Sequence, residues 1–329
     1  MANQSGNTRS RILRLLTENE GHFISGQRLA EELGISRNAI WKAISQLKEE
    51  GYLIESRTNA GYCLTPGSNL LTRTEILSNV HVDCDVRVLD SVTSTNDLMK
   101  EEELTARPKV IIANKQTQGR GRLGRSFISP GGTGVYMTFG LKPDFDIDKS
   151  PFVTMSAAVA VCRAIEQVAE KEPSIKWVND IFVNNRKICG ILTEAQTNFE
   201  TGEIDRLIIG IGVNCFPGSF PPEIRHIAGP ISEVTGSFSR SRLAAAIVNE
   251  QITLLGEVPD RGFLDEYRRR CFILGQNVVV RPNYDEQGSI ARALSITDDG
   301  GLVVEYLNGD KKGKKETLHT GEISIGLPD

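Results

Sequence analysis

No apolar stretch in this 329-residue chain is long enough to cross a bilayer; the strongest, Val153 to Ile165, is interrupted by Ser156 and Arg163. The opening MANQSGNTRSR lacks the apolar segment of a secretion signal, so a cytoplasmic protein with no membrane partner is expected. Six cysteines (Cys63, Cys84, Cys162, Cys189, Cys215, Cys271) include no CxxC pair, which argues against a zinc site or a disulfide frame and for reduced thiols. The four histidines lie far apart, which weakens any His-based metal centre. GxxxxGK[ST] is missing, so an ATP site here would not be a P-loop. Nor is there an excess of positive charge: at a net −4, DNA binding would need a local surface. What remains is an ordinary globular composition, 39% apolar and 24% charged, in a chain long enough for two or three domains.

The first 66 residues change period once. Ser10 to Asn19 places Ile12, Leu13, Leu15 and Leu16 on one helical face, and Gly26 to Leu33 does the same with Leu29, Ala30 and Leu33. Gly34 suits a left-handed helix end and Ser36 an N-cap for a third helix, Arg37 to Glu49. That helix buries Ile40, Ile44 and Leu47 and leaves Arg37, Asn38, Lys42, Ser45 and Gln46 on its other faces. Beyond Gly51, Tyr52–Ile54 and Gly61–Leu64 read as a hairpin whose tip carries Arg57 and Asn59. Three helices and a hairpin make a winged helix-turn-helix. The segment holds eight Lys/Arg against seven Asp/Glu, so total charge does not decide its partner. The placement of Arg37, Asn38, Lys42, Ser45, Gln46 and Arg57 does: these types read base edges and phosphates, whereas a protein-contact module would only solvate them.

Further along, the strand Val110–Ala113 runs into a loop in which Gly119, Gly121 and Gly124 satisfy GxGxxG. A dinucleotide fingerprint needs a helix straight after the glycines, and here the chain continues through Pro130, Gly131 and Gly132 into a strand, Val135–Phe139. The loop instead holds Arg120, Arg122 and Arg125, with Lys115 upstream. Guanidinium groups among glycines that expose backbone N–H groups suit a polyanion, and such glycine density is costly for an idle surface loop.

Five stretches in order, Ser94-Thr95-Asn96, Gln116 with Gly119 to Arg125, Lys176 to Asp180, Lys187 to Leu192 and Gly210 to Asn214, resemble the biotin–protein ligases, specifically the bifunctional kind that also represses biotin biosynthesis. The resemblance implies activation of biotin by ATP to biotinyl-5′-AMP, then transfer to a lysine of a biotin carboxyl carrier protein domain. It implies Lys187, Arg122 and Arg120 as catalytic cations, since charge builds on the α-phosphoryl oxygens. Ser94, Thr95, Asn96, Gln116 and Gly121 join them around biotin, and Arg125, Phe127, Lys176, Asn179 and Asn214 join Arg122 around ATP or the adenylate. Asp180 would assist Mg²⁺. Ser94-Thr95-Asn96 before Asp97 is also a good helix N-cap, and both roles are compatible. Two departures stand out: Val178 takes the place of the proline in KWPND, and Phe127 that of a tryptophan.

Ser150-Pro151 opens a helix that buries Val153, Ala157, Val161, Ile165 and Val168. Ile175–Val183, Lys187–Ala195 and Arg206–Val213 read as strands, with a turn at Asn184-Asn185. Thr235–Glu257 and Arg261–Arg270 read as helices. An α+β fold follows, with residues 1–66 a winged helix, 67–270 a mixed catalytic domain of mostly antiparallel strands related by resemblance to class II synthetase-like biotin/lipoate ligases, and 271–329 a small β-barrel, SH3-like by resemblance, with turns at Asn283–Gly288, Asp298–Gly301 and Asn308–Lys315. Lys311, Lys312, Lys314 and Lys315 read as a solvated hairpin tip. The bifunctional family implies operator DNA as a partner and a homodimer when the adenylate, acting as corepressor, is bound. Two other readings stay open: a ligand-sensing repressor without turnover, and a lipoate or octanoate ligase.

Overall fold

The computed structural model describes residues 8–49, 52–65, 69–146, 149–197, 204–218, 220–281, 288–319 and 322–325. Helices α1 (Thr8–Glu18), α2 (Gly26–Leu33) and α3 (Arg37–Glu49) are followed by the antiparallel wing β1 (Ile54–Arg57) and β2 (Gly61–Leu64). Ser25 caps α2 through Arg28 N, and Gly34 ends it at φ 66°, as a left-handed glycine should. Ile12, Leu13, Leu16, Leu29, Ile40, Ile44 and Leu47 close a core separate from that of the rest of the chain. The first strand runs further than its apolar residues indicated, so Arg57 stands on β1 opposite Gly61 and not at the tip.

Next come α4 (Arg73–Asn79), β3 (Asp85–Val92), α5 (Thr95–Lys100), β4 (Lys109–Gln116), β5 (Gly134–Leu141), α6 (Ser150–Ala169), β6 (Ser174–Lys176), β7 (Asp180–Val183), β8 (Arg186–Thr197), β9 (Ile204–Asn214), α7 (Arg240–Gly256) and α8 (Leu264–Arg270). The strands form one seven-stranded sheet in the order β3-β4-β5-β9-β8-β7-β6, antiparallel except for β3–β4. The alternation along β9 decides its faces: Ile209, Ile211 and Val213 enter the core with α6 and α7, whereas Gly210 approaches Asn96 and Gly212 approaches Phe127 on the other side. Contrary to the expectation from sequence, Pro151–Ala169 of α6 is long and apolar enough to cross a membrane, but two thirds of that apolar window is buried inside the molecule, as a core helix requires.

Three expectations need correction. Ile175–Val183 is not one strand: it folds back at residues 177–179, pairing Ser174 with Phe182 and Lys176 with Asp180, and its Trp177–Val178 peptide is cis. α7 starts five residues after Thr235, because Ser239 caps it through Arg242 N and Gly236 at φ 78° breaks the chain before it. α8 starts at Leu264, after Arg261 at φ 59°. The Asn184-Asn185 turn has positive φ at both residues, 50° and 60°, the geometry a two-residue hairpin needs.

The last strands, β10 (Asn277–Arg281), β11 (Ser289–Ile296), β12 (Leu302–Tyr306), β13 (Lys315–Leu318) and β14 (Glu322–Ile325), form an antiparallel sheet in the order β13-β12-β11-β10-β14. Among the described residues no ladder joins β13 to β14, so the sheet is open rather than a closed barrel. Most of the turn expected at Asn283–Gly288 lies outside the described residues. The core of this sheet is continuous with the central one, and the Trp177 indole donates to Gly300 O at 3.1 Å across the junction. Lys311 is held by Glu316 at 2.6 Å over the Tyr306 ring, as expected of a solvated hairpin tip.

α4 lies between α1 and α7, and so joins the winged helix to the central domain. Its Glu75 is buried, and the Ser239 hydroxyl donates to its carboxylate at 2.6 Å. Burial raises the Glu75 carboxyl above its ordinary 4.5, with Ser239, Ser241 and Arg242 opposing that shift only in part. An acid whose pKa is higher folded than unfolded favours folding below the unfolded value and loses that advantage as pH rises through the folded one. Glu75→Gln keeps an acceptor for Ser239 and removes the titration. It is expected to be more stable than wild type at neutral pH and to lack the decline that begins above 4.5. Guanidinium unfolding across a pH series tests this; parallel curves for the two proteins would refute it.

Candidate active site

The cationic loop is built more tightly than its composition suggests. Gln116 N donates to Ser129 O at 3.1 Å, Phe127 N to Gly119 O at 2.8 Å and Gly121 N to Arg125 O at 2.7 Å, so the segment folds back on itself as a narrow ribbon. A single 3₁₀ turn, Arg122–Gly124, forms its tip, with Leu123 and Gly124 at positive φ. No α-helix follows the glycines; β5 does, which agrees with the rejection of a dinucleotide fold. Gly119 has no room for a side chain: a Cβ there would lie 2.4 Å from Phe127 O.

This ribbon arches over the sheet face opposite α6 and α7 and closes a cavity. Arg120, Arg122, Arg125 and Lys187 all line it, together with Thr95, Asn96, Gln116, Gly121, Phe127, Asn179 and Asp180. Arg122 Nη1 donates to Asn179 Oδ1 at 3.0 Å, and Asn179 Nδ2 donates to Ile191 O at 2.9 Å, which fixes the guanidinium over the β6–β7 turn. Arg120 Nε donates to Asp97 Oδ2 on α5 at 2.8 Å. Lys187 Nζ lies 2.6 Å from Asp180 Oδ1. The Lys187 backbone is pinned on both sides, its N donating to Ile227 O at 2.7 Å and its O accepting from Gly229 N at 3.0 Å. Arg122 and Lys187, half-buried and held in place, face the cavity as a developing phosphoryl charge requires, while Arg120 and Arg125 are exposed.

Among the other lining residues and their neighbours, hydroxyl and amide groups satisfy one another. Gln116 Oε1 accepts from Thr95 N at 2.8 Å and from Thr95 Oγ1 at 3.0 Å, while its Nε2 donates to Ser129 Oγ at 2.9 Å. Ser94 caps α5 through Asp97 N, at 3.3 Å. It is buried outside the cavity lining, so its side chain serves the helix. Asn96 Nδ2 donates to Glu194 Oε2 at 3.0 Å, and the Thr138 hydroxyl lies 2.7 Å from Asn96 Oδ1.

Lys176 and Asn214, expected around ATP or the adenylate, do not line this cavity. Lys176 is held in the β6–β7 ladder opposite Asp180, and Asn214 is buried at the end of β9, where its carbonyl accepts from Ile231 N at 2.9 Å. Asp180, expected to assist Mg²⁺, has one oxygen engaged by Lys187, and no group of three metal-ligating side chains occurs among the described residues. Conversely, the reading from sequence passed over Thr138, Glu194 and the floor. Gly190 pairs with Gly212 across β8 and β9, and the Phe127 ring lies on both: a Cβ at Gly212 would sit 2.5 Å from it, and one at Gly190 3.3 Å. Glycines two apart on a strand, Gly210 and Gly212, were the available signal.

On the winged helix, Arg37, Asn38 and Lys42 are exposed along α3, while Ser45 and Gln46 are half-buried. Arg57 pairs with Glu55 on its own strand at 2.9 Å, and its guanidinium lies 4.6 Å from the Phe23 ring. All six cysteines are free thiols, and burial pushes those of Cys215 and Cys271 up to about 12, which makes them inert.

Comparison with known proteins agrees with this geometry. The biotin/lipoate A/B protein ligase family matches residues 88–214, and an HTH domain family matches 8–63. The bifunctional ligase/repressor BirA of Bacillus subtilis is 33% identical over 97% of this chain and 98% of its own, and that of Escherichia coli 26% over 88% and 92%. A biotin protein ligase from Aquifex aeolicus, solved in complex with biotin and ATP, superposes on 73% of this chain and 97% of its own with a TM-score of 0.60 at 26% identity. With a third of its residues shared from end to end with one such protein, and a winged helix and ligase sheet in the same order, the chain belongs to the biotin/lipoate A/B protein ligase family, in its bifunctional ligase/repressor branch.

Proposed function

We propose that this protein is a biotin–protein ligase that also acts as a biotin-responsive repressor, with domains at 1–66, 67–270 and 271–329, the last an SH3-like module. One observation carries the catalytic half: Lys187 and the three loop arginines surround a single cavity with a glycine floor. Biotin's carboxylate attacks the α-phosphorus of ATP, the bond to the β-phosphate oxygen breaks, and biotinyl-5′-AMP and pyrophosphate form. A carrier-domain lysine then attacks the acyl carbon and AMP leaves. Arg120, Arg122 and Lys187 offset the negative charge of the two approaching anions, and the ribbon shields the mixed anhydride from water. Thr95, Asn96, Gln116 and Gly121 suit the ureido ring, whose unpaired groups would each cost about 1–3 kcal/mol. Phe127, Asn179 and Arg125 flank the adenylate.

Asp180 is the one carboxylate lining the cavity among the described residues. A single carboxylate is a normal protein share where ATP phosphates supply most of a Mg²⁺ shell. The residues therefore fit an ion brought by the nucleotide, whose contribution is to neutralise phosphate charge.

For the regulatory half, Arg37, Asn38 and Lys42 face outward on α3, where a winged helix meets the major groove. Two such helices on an operator with two half-sites call for a homodimer, with the adenylate as corepressor. Free thiols fit a reducing cytoplasm.

Purified protein is expected to exchange labelled pyrophosphate into ATP only when biotin is present. Exchange driven by lipoate or octanoate instead would reassign the acid. Tight biotin binding with no exchange would leave a sensing repressor without turnover.

A further inference from the structure

Trp41 is 64% exposed in the middle of α3, although it is one of only two tryptophans in the chain. The face of α3 that builds the winged-helix core consists of Ile40, Ala43, Ile44 and Leu47, and Trp41 is not among the residues packed against it. Helical spacing places it one turn from Arg37 and from Asn38, beside the exposed Lys42. A large apolar ring held in water among cationic and amide side chains has no part in this fold. In the major groove, apolar side chains recognise the thymine C5-methyl group, while Arg and Asn read purine edges and Lys and Arg grip phosphates.

We propose that Trp41 is a specificity-determining residue of the operator contact, its indole packing on the methyl group of a thymine in each half-site. The proposal rests on the DNA-binding reading above and adds to it a residue and a base.

Full-length protein, supplied with biotin, ATP and Mg²⁺, would be used to select duplexes from a library with a randomised core. Each thymine of the enriched sequence would then be replaced in turn by deoxyuridine, which deletes only the methyl group. At one position per half-site this is expected to weaken wild-type binding about 5-fold or more, the lower range for a mismatched base pair. Trp41→Ala should bind the thymine probe with the same deficit and show no further loss on the uracil probe. Because Trp41 is mostly exposed and is not part of the winged-helix core, the variant should keep close to the wild-type melting temperature. Its emission gives a second readout, since Trp177 is buried and donates to Gly300: iodide should quench Trp41 in free protein and lose access to it in the complex. Equal uracil penalties in both proteins, or an indole still open to iodide when DNA is bound, would overturn the assignment while leaving DNA binding intact. Failure of wild type to enrich any sequence would remove the DNA-binding reading and this proposal together.

Discussion

Lys187→Ala is expected to lower biotin-dependent pyrophosphate exchange by about 10²- to 10³-fold, the loss typical of removing one preorganised group that stabilises transition-state charge. Its position supports a large effect. The backbone of Lys187 is fixed on both sides by the 227–229 segment, and its ammonium group projects into the cavity shared with Arg120, Arg122 and Arg125. The substitution also has a structural cost, because the partner carboxylate of Asp180 has a side chain only 16% exposed. Leaving that charge without its amine should destabilise the protein by about 1–3 kcal/mol. The double variant Lys187→Ala/Asp180→Asn separates the two effects. It should regain most of the stability in guanidinium unfolding and none of the exchange. If exchange recovered along with stability, Lys187 would be a structural partner of Asp180 and the proposed chemistry would lose its principal cation.

How much of this could be read from the residues depended on whether the signal was local. The winged helix followed from helical spacing, Gly34 and Ser36, all of which report on their own neighbourhood. Its wing was misjudged where Arg57, a polar residue, extended β1 by pairing with Gly61, a contact made across the hairpin. β3 and α4 went unread for the same reason. β3 is an edge strand with charged residues at Asp85, Arg87 and Asp90, so its alternation is weak, and it is held by parallel pairing to β4, 24 residues away. In the site, the arginines and glycines between Gly119 and Arg125 marked a cationic loop by composition alone. Pairing of Gly190 with Gly212, and of Leu192 with Gly210, arises from the register of β8 against β9, which determines that glycine faces the cavity. Lys176 and Asn214 have suitable chemistry and, by register, share the sheet face of Asp180, Gly210 and Gly212, but neither lines the cavity, which spacing along the chain does not reveal.

Arg240→Ala is expected to produce the largest loss of stability, about 3–5 kcal/mol, from withdrawing one charged donor group from several acceptors at about 1–3 kcal/mol each. Arg240 is 2% exposed, and its guanidinium donates to Asn69 Oδ1 at 2.6 Å, Asn69 O at 2.7 Å, Asn114 Oδ1 at 2.9 Å and Gly134 O at 2.8 Å. Burial pulls it below the ordinary guanidinium range, and all four of these acceptors are uncharged. Alanine would therefore take a donor from four acceptors, of which Gly134 O is fully buried and, among the described residues, Asn114 Oδ1 alone keeps a second donor, Gly132 N. Their locations extend the consequence to function. Asn114 lies near the end of β4 and Gly134 starts β5, so one side chain clamps both feet of the cationic ribbon, while Asn69 ties in the approach from the winged helix. Arg240→Lys supplies a point charge without the planar fork and should recover less than half of the loss. Guanidinium unfolding measures the stability, and hydrogen exchange of amides 116–129 measures the ribbon, which should lose protection in both variants. A stability loss below about 1 kcal/mol, the net value of one ordinary hydrogen bond, would mean that water replaces the guanidinium and that the ribbon is anchored by its own backbone pairs.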